Sequence, residues 1–359
     1  MINFTVGPVQ SDKETLKIGK KQTPYFRTSE FSKLMLENQN IILDLFGCPK
    51  DGKAVFMTGS GTASMEASVM NLFTRKDKVL VVNGGSFGHR FVQICQIHSI
   101  PYEEIELDFG SSLTKEHLQK YENANFTGMI LQLCETSSGV LYDMQLVGEF
   151  CKRNNIFLLV DAVSGFMADR FNMQTMGINA AITGSQKALG LPPGISIMVF
   201  DQNAINRINT NKINSMYFDL QDYLKNMERG QTPFTPAVQI LIQLNEKLKR
   251  IQKDGGIEKQ NELSRNRAQY FRNKIKPFPF KMFVNESFAS NCVTALEVTG
   301  GKYNAKELFE ELKNKYKIWI CPNAGNLAEK VFRVGHIGSI KKSEIDKLIK
   351  AFKKFYGVK

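Results

Sequence analysis

The chain has 359 residues, 42% of them hydrophobic and 23% charged, with a formal net charge of +12. That length is comfortable for two domains and a large buried core, and the composition is that of an ordinary folded soluble protein. The six cysteines show no CxxC spacing and no apolar run approaches membrane-spanning length, which sets aside a cysteine metal site, a disulfide scaffold and a bilayer protein.

The basic excess sits largely on lysines of the C-terminal third, in runs such as KKSEIDKLIKAFKKF. That pattern reads as a solvated helix face. Nucleic-acid binding is the sharper reading, but zinc-finger spacing, an aromatic RNA signature and a long basic tail are all missing. A basic surface could instead concentrate small anionic substrates. The cysteines (Cys48, Cys95, Cys134, Cys151, Cys292, Cys321) read mostly as small buried hydrophobes in a reducing compartment. The opening MINFTVGPVQ does not have the pattern of a signal peptide. The expectation is a cytoplasmic protein that engages neither membrane nor nucleic acid.

From about residue 30, helix-period and strand-like segments alternate. EFSKLMLENQNIILDLFG carries an apolar stripe through Phe31, Leu34, Met35, Ile41, Ile42 and Leu45 and stops at Gly47. KAVFMTGSGTASMEASVMNLF reads as strand, glycine turn and helix. DKVLVVNGG is a buried strand, QICQIHSIPYEEIEL a helix end and a strand, and TGMILQLCETSSG a strand with a polar exit. QLVGEFCKRNN reads as a helix. IFLLVDAVSG, AAITGSQ and ISIMVF read as strands. Continuous apolar strands separated by helices predict a mostly parallel, doubly wound α/β sheet covered on both faces. Two long helices follow Pro236. The tail then gives strand CVTALEV, helix AKELFEELKNKY, strand KIWICP, strand KVFRVG and a last helix. The predicted organisation is a large α/β domain over 15–250 and a smaller α+β domain made of 1–14 and 251–359.

In such sheets ligands sit beyond the carboxyl ends of the strands, so each strand exit is a candidate for chemistry. TGSGTASMEA places Ser60 between glycines, with a helix starting near Thr62. Free N–H groups and hydroxyls there suit a phosphate, although a plain N-capped turn has the same pattern. It is neither GxGxxG nor a Walker loop, which disfavours nucleotides. NGGSFGHR sets Phe87 among glycines, where an aromatic either covers a flat ring or packs in the core. CETSSGV offers Glu135, Thr136, Ser137 and Ser138, which helix capping explains equally well. Asp161 ends the apolar run IFLLV, so it is poorly hydrated and calls for a cation such as a protonated pyridine nitrogen. Capping of a following helix is its bland alternative.

Lys187 emerges from TGSQKALGLPPG one strand–helix–strand step after Asp161, so both are expected on the same sheet edge. A partly desolvated lysine has a lowered pKa and can form a Schiff base with an aldehyde. Ser185 and Gln186 beside it can donate to a phosphate. Phosphate cup, ring cover, acid for the pyridine nitrogen and lysine for the aldehyde are the parts of a pyridoxal 5'-phosphate site. Each part is ambiguous alone; their order along successive strands is not.

With TGSQKALGLPPG, VDAVSG and RVGHIG, the chain resembles the class V aminotransferases, a family of fold-type I pyridoxal-phosphate enzymes, from FTVGP to FRVGHIG. It is most similar to the alanine–glyoxylate, serine–pyruvate and 2-aminoethylphosphonate transaminase group. The resemblance implies that Lys187 carries the cofactor and shuttles the substrate proton, and that Asp161 pairs with the pyridine nitrogen. It implies that Ser60, Gly61, Thr62 and Gln186 hold the phosphate, that Phe87 stacks on the ring and that Thr136 lies near the cofactor and substrate. Arg333 would grip the substrate carboxylate through its planar fork, and Gly7 would line the substrate pocket.

QTPFTPAV resembles a loop offered to the phosphate by a neighbouring subunit, with Thr235 as the contact and Thr232 where several relatives have tyrosine. That implies a homodimer with shared active sites. Arg27 reads either as reaching a partner's pocket or as a surface arginine. The implied activity moves an amino group from an alanine-, serine- or 2-aminoethylphosphonate-type donor to a small 2-oxo acid such as pyruvate or glyoxylate. A pyridoxal-phosphate lyase or desulfurase, with Cys321 in WICPNAG as its only available thiol, is the second reading. A non-catalytic protein of the same fold is the third. No metal is expected.

Overall fold

A computed structural model describes residues 1–301 and 303–358. The first long helix forms where the apolar stripe predicts it, as α1 (Ser29–Leu45), with Phe31, Met35, Ile41, Ile42 and Leu45 buried. Thr28 caps it by accepting from the Phe31 N–H. Gly47 follows at φ +58, a conformation in which side-chain-bearing residues are strained, so the chain turns there.

The predicted strands and helices then follow in order: β1 (Lys53–Thr58), α2 (Gly61–Leu72), β2 (Val79–Asn83), α3 (Ser86–Ile97), β3 (Tyr102–Glu106), β4 (Gly128–Gln132), α4 (Met144–Arg153), β5 (Phe157–Asp161), β6 (Ala180–Gly184) and β7 (Ile195–Phe200). They form a seven-stranded sheet in the order β1-β7-β6-β5-β4-β2-β3. Only β7 runs antiparallel to its neighbours, so the sheet is mostly parallel as predicted. One face buries Leu131, Val160, Ile197 and Val199 against α1, α4 and α5 (Val238–Lys253). The other buries Ile130, Leu159, Ile182 and Met198 against α2 and α3. Covering on both faces is why these strands lack polar alternation.

One predicted step is absent. Between β5 and β6 the chain runs through turns rather than a helix, with Met167 and Gly177 both at φ +64. Buried Asp169 pulls this stretch toward the C-terminal unit by accepting from the Asn291 N–H at 2.8 Å and from the Ser290 hydroxyl. The strands remain parallel neighbours, with Asp161 opposite Ile182, so Asp161 and Lys187 still leave the same edge.

After α6 (Gly256–Ile275), the chain forms β8 (Phe280–Met282), β9 (Val293–Val298), β10 (Cys321–Pro322) and β11 (Val331–Gly335), then ends on α7 (Lys342–Tyr356). The small sheet is antiparallel in the order β8-β9-β11-β10, and α6 and α7 bury Phe271, Leu348 and Phe352 on a core that includes Phe332 and Val334. KIWICP is not one strand. Ile318–Trp319 pairs with the N-terminal Ile2–Asn3, and Cys321–Pro322 joins the small sheet, because fully buried Ile320 lies between the two pairings. Phe4 packs in this C-terminal core, and its carbonyl accepts from the Gly335 N–H at 2.7 Å. The first residues are thus strapped to the C-terminal unit before crossing to the large sheet.

The short helices Lys13–Gly19, Gln202–Thr210 and Leu220–Met227 were not predicted. Each starts on an aspartate cap, Asp12, Asp201 or Asp219, but is too short for the periodicity to stand out.

Candidate active site

Past the carboxyl ends of β4, β5 and β6 lies a cavity of about 260 Å³. Its lining includes Gly7, Ser60, Gly61, Thr62, Phe87, Thr136, Asp161, Gln186 and Lys187. Every candidate cofactor residue except Thr235 is therefore in one place, drawn from strand exits far apart in sequence.

Asp161 is only 5% exposed, and its Oδ1 accepts from the Val163 N–H at 2.8 Å. Burial pushes the carboxyl up to about 6, against the pull of that N–H and of the Lys187 charge. The bland expectation, an aspartate capping a following helix, gives way to a tight turn with no helix after it. Lys187 sits on the opening turn after β6 with its Nζ donating to the Val6 carbonyl at 2.8 Å. Burial lowers its pKa, while Cys292 and Asp161 oppose that shift. Its Nζ meets the N-terminal strap at Gly7, which has φ +141 and where an added Cβ would lie 2.8 Å from the Lys187 Nζ. Only glycine leaves the amine its place.

Opposite these charges is the start of α2. Ser60 is its N-cap, yet its side chain makes no capping bond; the Ala63 N–H is taken by the Ser60 carbonyl at 2.9 Å, and those of Gly61 and Thr62 stay available to an anion. Arg90, on the first turns of α3, donates to the Thr62 hydroxyl at 3.1 Å and lies 5.1 Å from the Phe87 ring centroid. The sequence reading missed Arg90; its position one helical turn after Phe87 was the available signal. Gln186 lines the same wall, its Oε1 buried without a partner.

Glu135 is a structural tie rather than a cavity group. Its carboxylate, wholly buried, accepts from the N–H groups of Phe87, Gly88 and Ser137, each at 3.1 Å. It thereby fixes the α3 entrance that presents Phe87. The Thr136 hydroxyl donates to Ser164 at 2.7 Å, and Ser164 in turn to the Cys134 carbonyl at 3.2 Å. Val163, Ser164 and Cys134 line the cavity too, and the sequence reading assigned them no role there.

Other predicted residues fall outside the cavity. Arg333 does not line it: its guanidinium, half-buried on β11, donates to the Thr136 and Pro322 carbonyls, both at 3.0 Å, and its Nε is buried without a partner. It stands directly behind Thr136. Thr235 is exposed, away from the cavity of its own chain. Thr232 is buried, its hydroxyl spent on the Phe234 carbonyl at 2.7 Å. Arg27 is exposed just before α1, as the surface reading has it. It braces the 231–233 loop, donating to the Gln231 side chain and to the Thr232 and Pro233 carbonyls. Cys321 is half-buried within β10 beside Arg333, rather than on a loop.

These residues fit pyridoxal 5'-phosphate on the structure's own terms. A buried carboxylate suits a protonated ring nitrogen, a buried amine suits an aldehyde, and an unspent helix N-terminus beside an arginine suits a phosphate. No group of His, Cys, Asp and Glu among the described residues is arranged to hold a metal.

Comparison with known proteins agrees. The class-V aminotransferase family model matches residues 21–332. L-aspartate–glyoxylate aminotransferase of Paracoccus denitrificans is 27% identical, covering 94% of this chain and 86% of that protein. 2-aminoethylphosphonate–pyruvate transaminase of Pseudomonas aeruginosa is 27% identical, covering 90% and 87%. The fold superposes on the crystal structure of an alanine–glyoxylate aminotransferase from Nostoc with a TM-score of 0.92 and 24% identity, covering 98% of this chain and 94% of that one.

Proposed function

The chain belongs to the class-V aminotransferases, enzymes that depend on pyridoxal 5'-phosphate, and from that premise we propose a small-molecule transaminase with an alanine-, serine- or 2-aminoethylphosphonate-type donor and a small 2-oxo acid acceptor such as pyruvate or glyoxylate. The observation that carries the reading is the buried Lys187 amine in the same cavity as the buried Asp161 carboxylate.

When bound, the cofactor supplies an aldehyde for the amino group and a cationic ring that accepts electrons from the substrate's Cα. The protein's part is derived from its residues. Asp161 favours a protonated ring nitrogen by offering its carboxylate where water is excluded. Ser60, Gly61, Thr62 and Gln186 are the proposed phosphate holders, and Phe87 the ring cover. Lys187 Nζ, its ammonium form disfavoured by burial, is a nucleophile toward the aldehyde and afterwards a base that takes the proton from the substrate Cα and returns it. Arg333 is the proposed carboxylate grip, supported by its unpartnered Nε and its place behind Thr136. Gly7 and Thr136 border the proposed substrate space. We take residues 15–250 as the cofactor-binding unit and 1–14 with 251–359 as the smaller one.

The exposed Thr235 on its braced loop supports contact with a second copy and so a homodimer with shared sites. No helix among the described residues is long and apolar enough to cross a membrane, which accords with a cytoplasmic enzyme acting on small molecules.

The test is a donor panel of alanine, serine, glutamate and 2-aminoethylphosphonate, with pyruvate or glyoxylate as acceptor. Turnover with alanine, serine or the phosphonate is expected, and Lys187→Ala abolishes it. Turnover with none of the four overturns the substrate class, and an unchanged rate in Lys187→Ala overturns the assignment of Lys187.

A further inference from the structure

Gln132, the last residue of β4, is 1% exposed, and neither its amide nitrogen nor its amide oxygen has a hydrogen-bond partner among the described residues. A wholly orphaned amide in a core is unusual, because such a group loses its water without replacement. A leucine or methionine of similar size would fill the same space without that penalty. The residue therefore has some use other than packing.

Its position says which. Gln132 is the register partner of Asp161 on the adjacent parallel strand β5. Register partners in parallel strands project from the same sheet face. For this pair it is the face of Ile130 and Leu159, which pack toward α2 and α3. Gln132 is thus the immediate lateral neighbour of the proposed ring-nitrogen partner. Asp161 itself is under-supplied with donors: among the described residues its carboxylate receives the Val163 N–H alone, at 2.8 Å. The charged groups that act on Asp161 are Lys187, Glu135 and Arg90, and none of them donates a hydrogen bond to it.

We propose that Gln132 is a positioning residue for the cofactor, whose amide N–H is donated to the Asp161 carboxylate when that carboxylate holds the ring nitrogen. This rests on the reading of Asp161 as the ring-nitrogen partner. The added donor aims one carboxylate oxygen and stabilises the anion facing the ring cation. Its orphaned amide is then a deliberate local weakness, tolerated for the sake of the loaded state.

The experiment titrates the full-length chain and its Gln132→Leu and Gln132→Met variants with pyridoxal 5'-phosphate, and with the analogue that has carbon in place of the ring nitrogen. Dissociation constants are read by equilibrium dialysis, and melting temperatures on cofactor-free protein. The expected result is that wild type prefers the natural cofactor and that both variants bind it about tenfold more weakly. Their affinity for the carbon analogue is expected to be unchanged and their cofactor-free melting temperature undiminished. Equal weakening toward both compounds, or no weakening toward either, overturns the proposal. If wild type itself does not distinguish the two compounds, the reading of Asp161 fails first and the proposal with it. A lowered melting temperature with an unaltered preference for the natural cofactor shows a merely structural glutamine and also overturns it.

Discussion

Asp161 and Lys187 are held out of water in one cavity, and burial disfavours the charged form of each. Asp161 titrates near 6 in the folded chain against 3.8 for an ordinary aspartate, so the folded state holds its proton more tightly than the unfolded state does. Its contribution to stability is therefore greatest below about pH 4 and is lost as pH rises toward about 6. Asp161→Asn keeps the acceptor for the Val163 N–H and removes the ionisation. Cofactor-free Asp161→Asn protein is expected to be about 1–3 kcal/mol more stable than wild type at pH 7, while binding cofactor poorly. Denaturant melts at pH 4 and pH 7 check this. Buried Asp169 is also raised to about 6, so part of the fall in stability with pH should persist in the variant. Gly7 gives a steric counterpart. Gly7→Ala sets a methyl against the Lys187 amine at a φ of +141, and turnover should fall at least tenfold, with Lys187 displaced in a crystal structure.

At the scale of elements, the site depends on how α2 and α3 begin. α2 leaves the Gly61 and Thr62 N–H groups unspent for an anion, whereas Glu135 occupies those of Phe87 and Gly88 at the start of α3. Removing that carboxylate leaves buried N–H groups of Gly88 and Ser137 unpaired. Glu135→Ala should cost about 2–4 kcal/mol and loosen Phe87, lowering the melting temperature and the cofactor affinity together. The strand exits could be read in sequence because each follows a continuous apolar run, and a polar residue there has few reasons to exist. Ser164 and Gln132 could not, and Arg90 offered only its spacing after Phe87. Arg90 and Ser164 sit among residues that capping or a solvated face would explain, and Gln132 reads as a strand end until its missing partners are seen. The helix expected between β5 and β6 failed because the buried Asp169 contacts, distant in sequence, outweigh local propensity.

Across the whole molecule, the N-terminal strap and the loop that carries Thr235 set what a single chain can do. The strap ties Ile2–Asn3 to Ile318–Trp319 and passes its Val6 carbonyl to the Lys187 amine, linking the position of the C-terminal strands to that amine. The Thr235 loop is braced by Arg27, and Thr235 is exposed without lining its own chain's cavity. If sites are shared, sedimentation should report a dimer, and mixing Lys187→Ala chains with Thr235→Ala chains by co-refolding should recover part of the turnover that neither homodimer has. A monomeric species with full activity would contradict shared sites.

The sequence by itself determined the doubly wound sheet, the order of its strand exits and the departure of Asp161 and Lys187 from one sheet edge. Apolar runs and glycine turns are local signals, and a charge at the end of such a run is conspicuous wherever the chain goes. Only the tertiary structure decided that Arg333 stands behind Thr136, that Arg27 braces its own loop, that Glu135 ties down a helix and that the Gln132 amide lacks any partner among the described residues. Those facts depend on which distant side chains meet, and burial and hydrogen-bond satisfaction exist only once the strands are laid side by side.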